Sequence, residues 1–244
     1  MMPFFTKGGD ILANEVLRQE HKFLISIDEC YRYRMLFRQL FKEDKYAKGK
    51  DCYEVRSLYF DSIDDNDFTE KLDGVYLRKK IRLRTYGSNS NFALLEMKQK
   101  QGDLQKKRSL KMSKEDAIQL IKGNYAVLLN YSDPFSKECY AIMTMHCYRP
   151  ISVVSYHRKA FYADGNKTRI TLDYNIVANE CNFDIFSPTL SQYSVLNPHL
   201  ALLEVKYNGF LQSYLKDVIN TCMKSQSSMS KYCLARTVSK HYLF

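Results

Sequence analysis

The segment Val75–Tyr86 reads VYLRKKIRLRTY and constrains the fold more than any other part of the chain. Side chains of an extended strand point alternately to opposite faces. One face of this strand therefore carries Arg78, Lys80, Arg82 and Arg84. Like charges on one face repel unless something neutralises them. Taken alone, the pattern also fits a half-buried sheet whose charged face meets solvent.

The same alternation recurs along the chain, with sparse acids beside the cations. Phe92–Lys100 places Glu96, Lys98 and Lys100 on one face and Ala93, Leu95 and Met97 on the other. Shorter versions are Glu20 with Lys22, Lys106 with Arg108, Tyr156 with Arg158, Arg169 with Asp173, and Glu204 with Lys206. The net charge is +10, from 37 Lys and Arg against 27 Asp and Glu, which favours an anionic partner.

Strand patterns outnumber helical ones and do not alternate with them. We predict eight strands, at Leu17–Ser26, Tyr53–Asp61, Val75–Tyr86, Phe92–Lys100, Leu104–Leu110, Ile151–Tyr162, Thr168–Tyr174 and Leu200–Tyr207. Helices are predicted over Ile27–Phe41, Ser113–Ile121, Asp133–Cys147, Gly209–Met223 and Ser230–Tyr242. This order favours an α+β fold with an antiparallel sheet, in one domain spanning residues 1–244.

If the sheet closes into a barrel, its apolar faces pack against outer helices and its charged faces line the lumen. A dry lumen is excluded, since each unpaired buried ion costs on the order of several kcal/mol. A multiply charged anion suits such a wet lumen, because the arginine fork binds phosphate oxygens bidentately. The few carboxylates suit a hard divalent cation, which prefers oxygen ligands.

Nine segments, in order along nearly the whole chain, carry a family resemblance. They are EHKFLIS, VRSLYFDS, GVYLRKKIRLRTYG, LLEMKQK, QKKRSL, SYHRKAF, TRITLD, LLEVKY and SKY. In these segments the chain resembles the VTC domain, the polyphosphate polymerase branch of the triphosphate tunnel metalloenzymes. The resemblance implies an eight-stranded closed antiparallel β-barrel, the triphosphate tunnel, with helices packed outside it.

The resemblance also implies roles for individual residues. Arg82, Arg84, Lys98 and Arg158 would hold the reacting phosphates. Further phosphate-binding candidates are Lys22, Arg56, Arg78, Lys80, Lys106, Lys107, Lys206 and Lys231. Glu204 best matches the metal-binding glutamate for Mn²⁺ or Mg²⁺, with Glu96 and Glu20 as helpers. Many tunnel enzymes have a further glutamate where Arg18 stands here, and the VTC branch shares this departure.

The function implied is transfer of the γ-phosphoryl of ATP, or another triphosphate, onto a polyphosphate chain. Two alternatives use the same cations: a triphosphatase, and a polyphosphate-binding module without catalysis. A nucleic-acid-binding groove is a further class, but no RNP-like signature accompanies the 19 tyrosines, and we expect no nucleic-acid partner.

The expected location of the protein and the redox state of its cysteines rest on three sequence patterns: membrane-spanning runs, signal peptides and cysteine spacing. No run of about 18 apolar residues predicts a membrane-spanning helix, and Met1–Asp10 does not resemble a signal peptide. Seven cysteines at scattered spacings, without a CxxC pair, indicate neither a zinc site nor a disulfide framework. We expect a cytoplasmic protein with reduced thiols.

Overall fold

The structure is a computed structural model that describes residues 18–47, 49–102, 104–163, 166–220 and 229–241. Its strands are β1 (Arg18–Ser26), β2 (Lys42–Glu43), β3 (Tyr53–Asp61), β4 (Leu77–Thr85), β5 (Phe92–Gln101), β6 (Leu104–Ser113), β7 (Arg149–Tyr162), β8 (Arg169–Asn179), β9 (Tyr193–Ser194) and β10 (Leu200–Asn208). Its helices are α1 (Ile27–Leu40), α2 (Asn66–Leu72), α3 (Lys114–Ile121), α4 (Pro134–Met145), α5 (Ser213–Asn220) and α6 (Lys231–His241), with a 3₁₀ helix at Tyr125–Asn130.

The eight long strands form one sheet in the order β1-β10-β8-β7-β3-β4-β5-β6, and every pairing in it is antiparallel. The α+β class is therefore confirmed. The two short strands β2 and β9 extend the sheet beside β7 and β8.

Closure of the barrel is where the prediction fails. β1 and β6 end the strand order, and no backbone pairing joins them in the described part of the chain, so the sheet is open along this seam. Side chains bridge the gap instead: Lys98 Nζ of β5 lies 3.9 Å from Glu20 Oε2 of β1. This ion pair joins β1 to β5, the strand next to the free edge β6, so a charged side-chain contact spans the gap between the two ends of the strand order.

Local sequence explains where the helices begin. Ser26 and Glu29 form a capping box at α1, in which Ser26 N donates to Glu29 Oε2 at 2.8 Å. Ser113 and Asp133 cap α3 and α4 through their side-chain oxygens. α5 starts later than predicted, and its predicted end at Met223 lies outside the described residues, as do Met1–Asp10, Leu17 and Cys222.

The apolar faces pack outward, as the alternation predicts. Ile81, Leu83, Leu95 and Met97 of β4 and β5 are fully buried under α3, α4 and the 3₁₀ helix. A second cluster joins α1 to β8 and β10, and a third surrounds α6. The opposite face of the sheet is left for polar side chains. No described helix is long and apolar enough to cross a membrane.

Candidate functional site

The charged faces of the strands enclose a cavity of about 800 Å³. Its described lining contains two carboxylates, Glu20 and Glu204, and fourteen cations: Lys22, Lys71, Arg78, Lys79, Lys80, Arg82, Arg84, Lys98, Lys100, Lys107, Arg158, Arg169, Lys206 and Lys231. Register places like charges directly opposite each other, as in Lys80 with Lys98 and Lys98 with Lys107. Such a lining favours a bound polyanion, because opposed cations destabilise a sheet unless they are neutralised.

One carboxylate, Glu96, sits beneath the cations of β4, β5 and β6. Its side chain is fully buried and pairs with Arg82 Nε at 2.7 Å, Arg84 Nη1 at 3.6 Å, and Lys107 Nζ. Burial alone would raise the pKa of Glu96, but these three cations hold it well below its usual value. Glu96 therefore stays ionised and fixes the two arginines in place.

Tyrosine hydroxyls complete the positioning of the same arginines. Arg82 Nη1 donates to Tyr59 Oη at 3.2 Å, and Arg84 Nη2 donates to Tyr156 Oη at 3.4 Å. Burial would raise the pKa of Tyr59, yet the adjacent Arg82 and Arg84 lower it. Both guanidinium groups are thus held by several partners before any ligand arrives.

A second acidic group lies at the junction of β1 and β10. Glu20 pairs with Lys22 at 2.8 Å, and Glu204 pairs with Lys206. Burial and the neighbouring Glu204 would raise the pKa of Glu20, but Lys98, Lys206 and Lys22 lower it to about 2. Glu204 is held well below its usual pKa in the same way, against its burial, by Lys206 and Lys22. Two ionised carboxylates therefore face the cavity side by side.

A third acid, Asp173, ties the tunnel to α6. Arg158 donates to its two oxygens from Nε at 2.6 Å and from Nη2 at 2.7 Å, and Lys231 Nζ lies 2.7 Å from Oδ2. The helix is seated by Tyr232, which stacks on Tyr59 and donates to the buried Asp61. α6 thereby brings Ser230 and Lys231 to the cavity, where Ser230 Oγ accepts from Lys80 at 2.8 Å.

The structure brings most of the predicted site residues to this cavity and places three outside its lining, of which Glu96 lies beneath the cavity cations. Lys22, Arg78, Lys80, Arg82, Arg84, Lys98, Lys107, Arg158, Lys206, Lys231, Glu20 and Glu204 all line it. Arg56 is a correction: it lies on the opposite face of β3 from Tyr59, where it binds Glu54 and the carbonyls of Ile185 and Ser187. Lys106 is also a correction, because alternation turns Lys107 inward and leaves Lys106 out of the lining.

Some site residues were missed by sequence reasoning. Asp173 and Arg169 share the inward face of β8, a signal present in the alternation but not used to assign them roles. Lys79 lies on the apolar parity of β4, where it lies opposite Gln99 and 3.6 Å from Asp67 Oδ1, and it nevertheless borders the cavity. Lys71 comes from the unpredicted helix α2.

Among the described residues that border the cavity, Glu20 and Glu204 are the pair that fits a divalent cation. Glu96 is unsuitable as a direct ligand, because its oxygens are enclosed by Arg82, Arg84 and Lys107. Glu20 and Glu204 are carboxylates that line the cavity, and Mg²⁺ is commonly held by one or two carboxylates, substrate phosphates and waters. No cluster of three or more metal-ligating side chains occurs among the described residues, so the protein supplies only part of such a site.

A family model and one solved structure agree with this architecture. The family model of the VTC domain matches residues 17–240. A Bacillus halodurans protein provisionally named an adenylate cyclase has a similar fold, with a TM-score of 0.53, 12% identity, and coverage of 88% of this chain and 94% of that one. The PH1819 protein of Pyrococcus horikoshii OT3 gives a TM-score of 0.46 at 13% identity over 92% and 98% of the two chains. No curated protein matches the sequence.

Proposed function

Because the chain belongs to the VTC domain family of triphosphate tunnel proteins, we propose that it is a phosphotransferase that lengthens polyphosphate. The γ-phosphoryl of ATP would pass to the terminal phosphate of a chain held in the same cavity. The Pγ–O bond to the β-phosphate breaks, a bond to the acceptor oxygen forms, and ADP leaves. The observation that carries the proposal is the cavity, whose described lining has fourteen cations and two acids.

Binding and orientation are the main tasks of such a site, since phosphoryl transfer depends on positioning and charge stabilisation. Arg82, Arg84 and Arg158 are preorganised by Glu96 and Asp173 to meet phosphate oxygens. A guanidinium has five N–H donors, so these ion pairs leave donors for the anion. Burial and the neighbouring Lys206 lower the pKa of Lys98, whereas a bound polyanion would raise it and keep the ammonium charged.

Glu204 and Glu20 would hold a divalent cation, Mn²⁺ or Mg²⁺, against the phosphates. When bound, the cation supplies charge neutralisation to the phosphate oxygens. The choice of a transferase over a hydrolase rests on Glu96, the buried carboxylate beneath the cavity. Glu96 is enclosed by cations and unsuited to orient an attacking water, whereas a terminal phosphate is already ionised and needs no base.

Incubation of the purified protein with ATP and Mn²⁺ or Mg²⁺, followed by separation of the products, tests the proposal. Long phosphate chains with ADP are expected. Free phosphate alone would establish a triphosphatase, and thermal stabilisation by tripolyphosphate without turnover would establish a binding module.

A matched pair of variants separates the cavity from the general basic charge. Lys98→Ala should abolish turnover and weaken tripolyphosphate binding, whereas Lys216→Ala on the exposed side of α5 should change neither. RNA should not displace tripolyphosphate. Displacement by RNA with a steep salt dependence would replace the proposal with a nucleic-acid-binding groove.

A further inference from the structure

One aliphatic hydroxyl borders the cavity in the described part of the chain, and it belongs to Ser230. The other two hydroxyls of the described lining are phenols, Tyr59 and Tyr156, and each accepts a hydrogen bond from an arginine. Ser230 lies directly before α6 and reaches the cavity together with Lys231. Its hydroxyl is therefore placed as a nucleophile toward a phosphate bound in the cavity.

Ser230 forms a serine–lysine pair with Lys80 of β4. Lys80 Nζ lies 2.8 Å from Ser230 Oγ, and the backbone N–H of Cys233 donates to the same oxygen at 3.4 Å. Serine–lysine pairs serve enzymes as nucleophile and base, because a neutral lysine amine accepts the proton that the hydroxyl releases. The two side chains are already within the hydrogen-bond distance that this proton transfer needs.

The surroundings of Lys80 favour the neutral amine. Its Nζ lies 3.5 Å from Cys233 Sγ and 5.4 Å from the centroid of the Tyr232 ring, and Lys80 stands opposite Lys98 in the pairing of β4 with β5. Among the described residues, no carboxylate forms an ion pair with Lys80. Burial lowers the pKa of Lys80, although Cys233 and Tyr59 oppose the shift.

A phosphate attached to Ser230 would be stabilised where it forms. Ser230 caps α6 by accepting from the Cys233 N–H, and the N-terminus of a helix favours an anion. Lys80 and Lys231 stand beside it in the same lining. A phosphoserine at this position therefore has the cationic surroundings of a phosphate that binds in the cavity.

We propose that Ser230 is the first acceptor of the γ-phosphoryl group of ATP when no phosphate chain is present. Lys80 takes the hydroxyl proton, Ser230 Oγ forms a bond to Pγ, the bond from Pγ to the β-phosphate oxygen breaks, and ADP leaves. An ionised oxygen of the phosphoserine then accepts the next γ-phosphoryl group, so the chain grows from the protein. This inference rests on the proposed function and adds its starting step. A terminal phosphate is already ionised, whereas a serine hydroxyl needs a base.

Incubation of the purified protein with ATP and Mg²⁺, with and without added tripolyphosphate, tests the inference. Without tripolyphosphate, mass spectrometry should find HPO₃ groups on Ser230 early in the reaction. Ser230→Asn can still cap a helix but has no hydroxyl, so it should abolish this label and chain synthesis from ATP alone. Added tripolyphosphate should restore chain synthesis in this variant, because it supplies an ionised acceptor, and restoration also shows that the variant is folded.

Three further variants separate the nucleophile, the base and the helix. Ser230→Thr keeps a hydroxyl at the same position and should retain both the label and chain synthesis from ATP alone. Lys80→Arg keeps the positive charge but cannot accept the proton, and it should slow labelling about 100-fold or more. Ser239→Ala, on α6 but outside the described lining, should change neither the label nor synthesis.

The inference is overturned if wild type and Ser230→Asn make chains from ATP alone at the same rate. It is also overturned if the phosphoryl group maps to another residue of the lining, such as His21 or Tyr59, or if wild type makes chains without becoming labelled. Loss of synthesis in Ser230→Asn that tripolyphosphate does not restore has the same consequence, because it would assign Ser230 to folding or binding. Failure of the proposed function is distinguishable: wild type would then lengthen no chain even with tripolyphosphate, and the inference would fall with it.

Discussion

Glu20 and Glu204 line the cavity, Glu96 lies beneath it, and these two groups of acids differ in how their charge is balanced. Glu96 is fully enclosed by two arginines and a lysine, while Glu20 and Glu204 border the open space and pair with lysines. All three have lowered pKa values. The side chain of Glu96 is 0% exposed, against 14% for Glu20 and 7% for Glu204. The difference separates an acid that holds arginines in place from acids that can exchange lysines for a metal ion.

Removal of the enclosed acid should have the largest effect. Glu96→Ala leaves Arg82 and Arg84 buried without their main partner, and we expect the free energy of unfolding to fall by about 3–5 kcal/mol. Urea denaturation measures this change. Glu138→Ala breaks a more exposed pair with Arg108 and should cost about 1 kcal/mol or less. Equal losses in the two variants would contradict the special role of Glu96.

The second prediction concerns the acids that line the cavity, Glu20 and Glu204. Glu204→Gln should lower metal-dependent turnover about 100-fold or more, since a metal ion contributes several kcal/mol of charge stabilisation. Binding of tripolyphosphate without metal should not weaken, because a like charge has been removed. Steady-state rates with Mg²⁺ and calorimetry without it measure the two effects. Glu54→Gln, an acid on the outer side of β3, is the matched control.

Strand alternation explains how much of this contrast could be predicted from sequence. Because side chains of a strand alternate between its two faces, the sequence predicts that Arg82, Arg84 and Lys98 point inward. In the structure all three line the cavity. The same rule separates Arg56 from Tyr59, but Arg56 was assigned from the family segment instead of from its parity. Applied fully, alternation alone would have excluded it.

Features set by tertiary contacts were beyond sequence reasoning. The open seam between β1 and β6 depends on the distance between two edges that no local pattern encodes. α2 is only seven residues long, and its first N–H groups donate to the side chains of Ser62 and Asp61 instead of to the adjacent residue Asp65, so the usual cap position gives no signal. Glu96 becomes enclosed when β4, β5 and β6 pair in register, and no local pattern in the sequence shows this. From the sequence, Glu96 therefore looks like an acid that could bind a metal ion.

The third prediction sharpens the comparison through pH. Because the pKa of Glu20 is lowered from 4.5 to about 2, its contribution to stability is present above pH 4.5 and is lost as pH falls toward 2. We expect this contribution to the free energy of unfolding to be about 2 kcal/mol, a value that already includes the solvent screening of the partly exposed lysines. Stability of wild type and Glu20→Gln between pH 5 and pH 2 measures it. A loss of the same size in both proteins would show that Glu20 is not stabilised by these lysines.

Asp67 of α2 shows that the neighbouring cations, and not burial, decide whether the pKa of a buried carboxyl group is lowered or raised. Like Glu96 it is 0% exposed, but among the described residues its ion-pair partner is a single lysine, Lys79, 3.6 Å away. Burial therefore dominates and raises the pKa of Asp67 to about 7, despite Lys79 and a hydrogen bond from Tyr148. A raised carboxyl pKa means that stability is lost as pH rises through the folded value.

When pH rises from 6 to 8, a carboxyl group with a folded pKa near 7 lowers the free energy of unfolding by about 1.4 kcal/mol, the free-energy equivalent of one pKa unit. Wild type should show this loss relative to Asp67→Asn in urea denaturation at the two pH values. The Asn side chain can still accept from Tyr148, so packing is retained while titration is removed. If the two proteins lose equal stability, Asp67 is already ionised at pH 6, and a single lysine neutralises a buried acid as well as the three cations around Glu96 do.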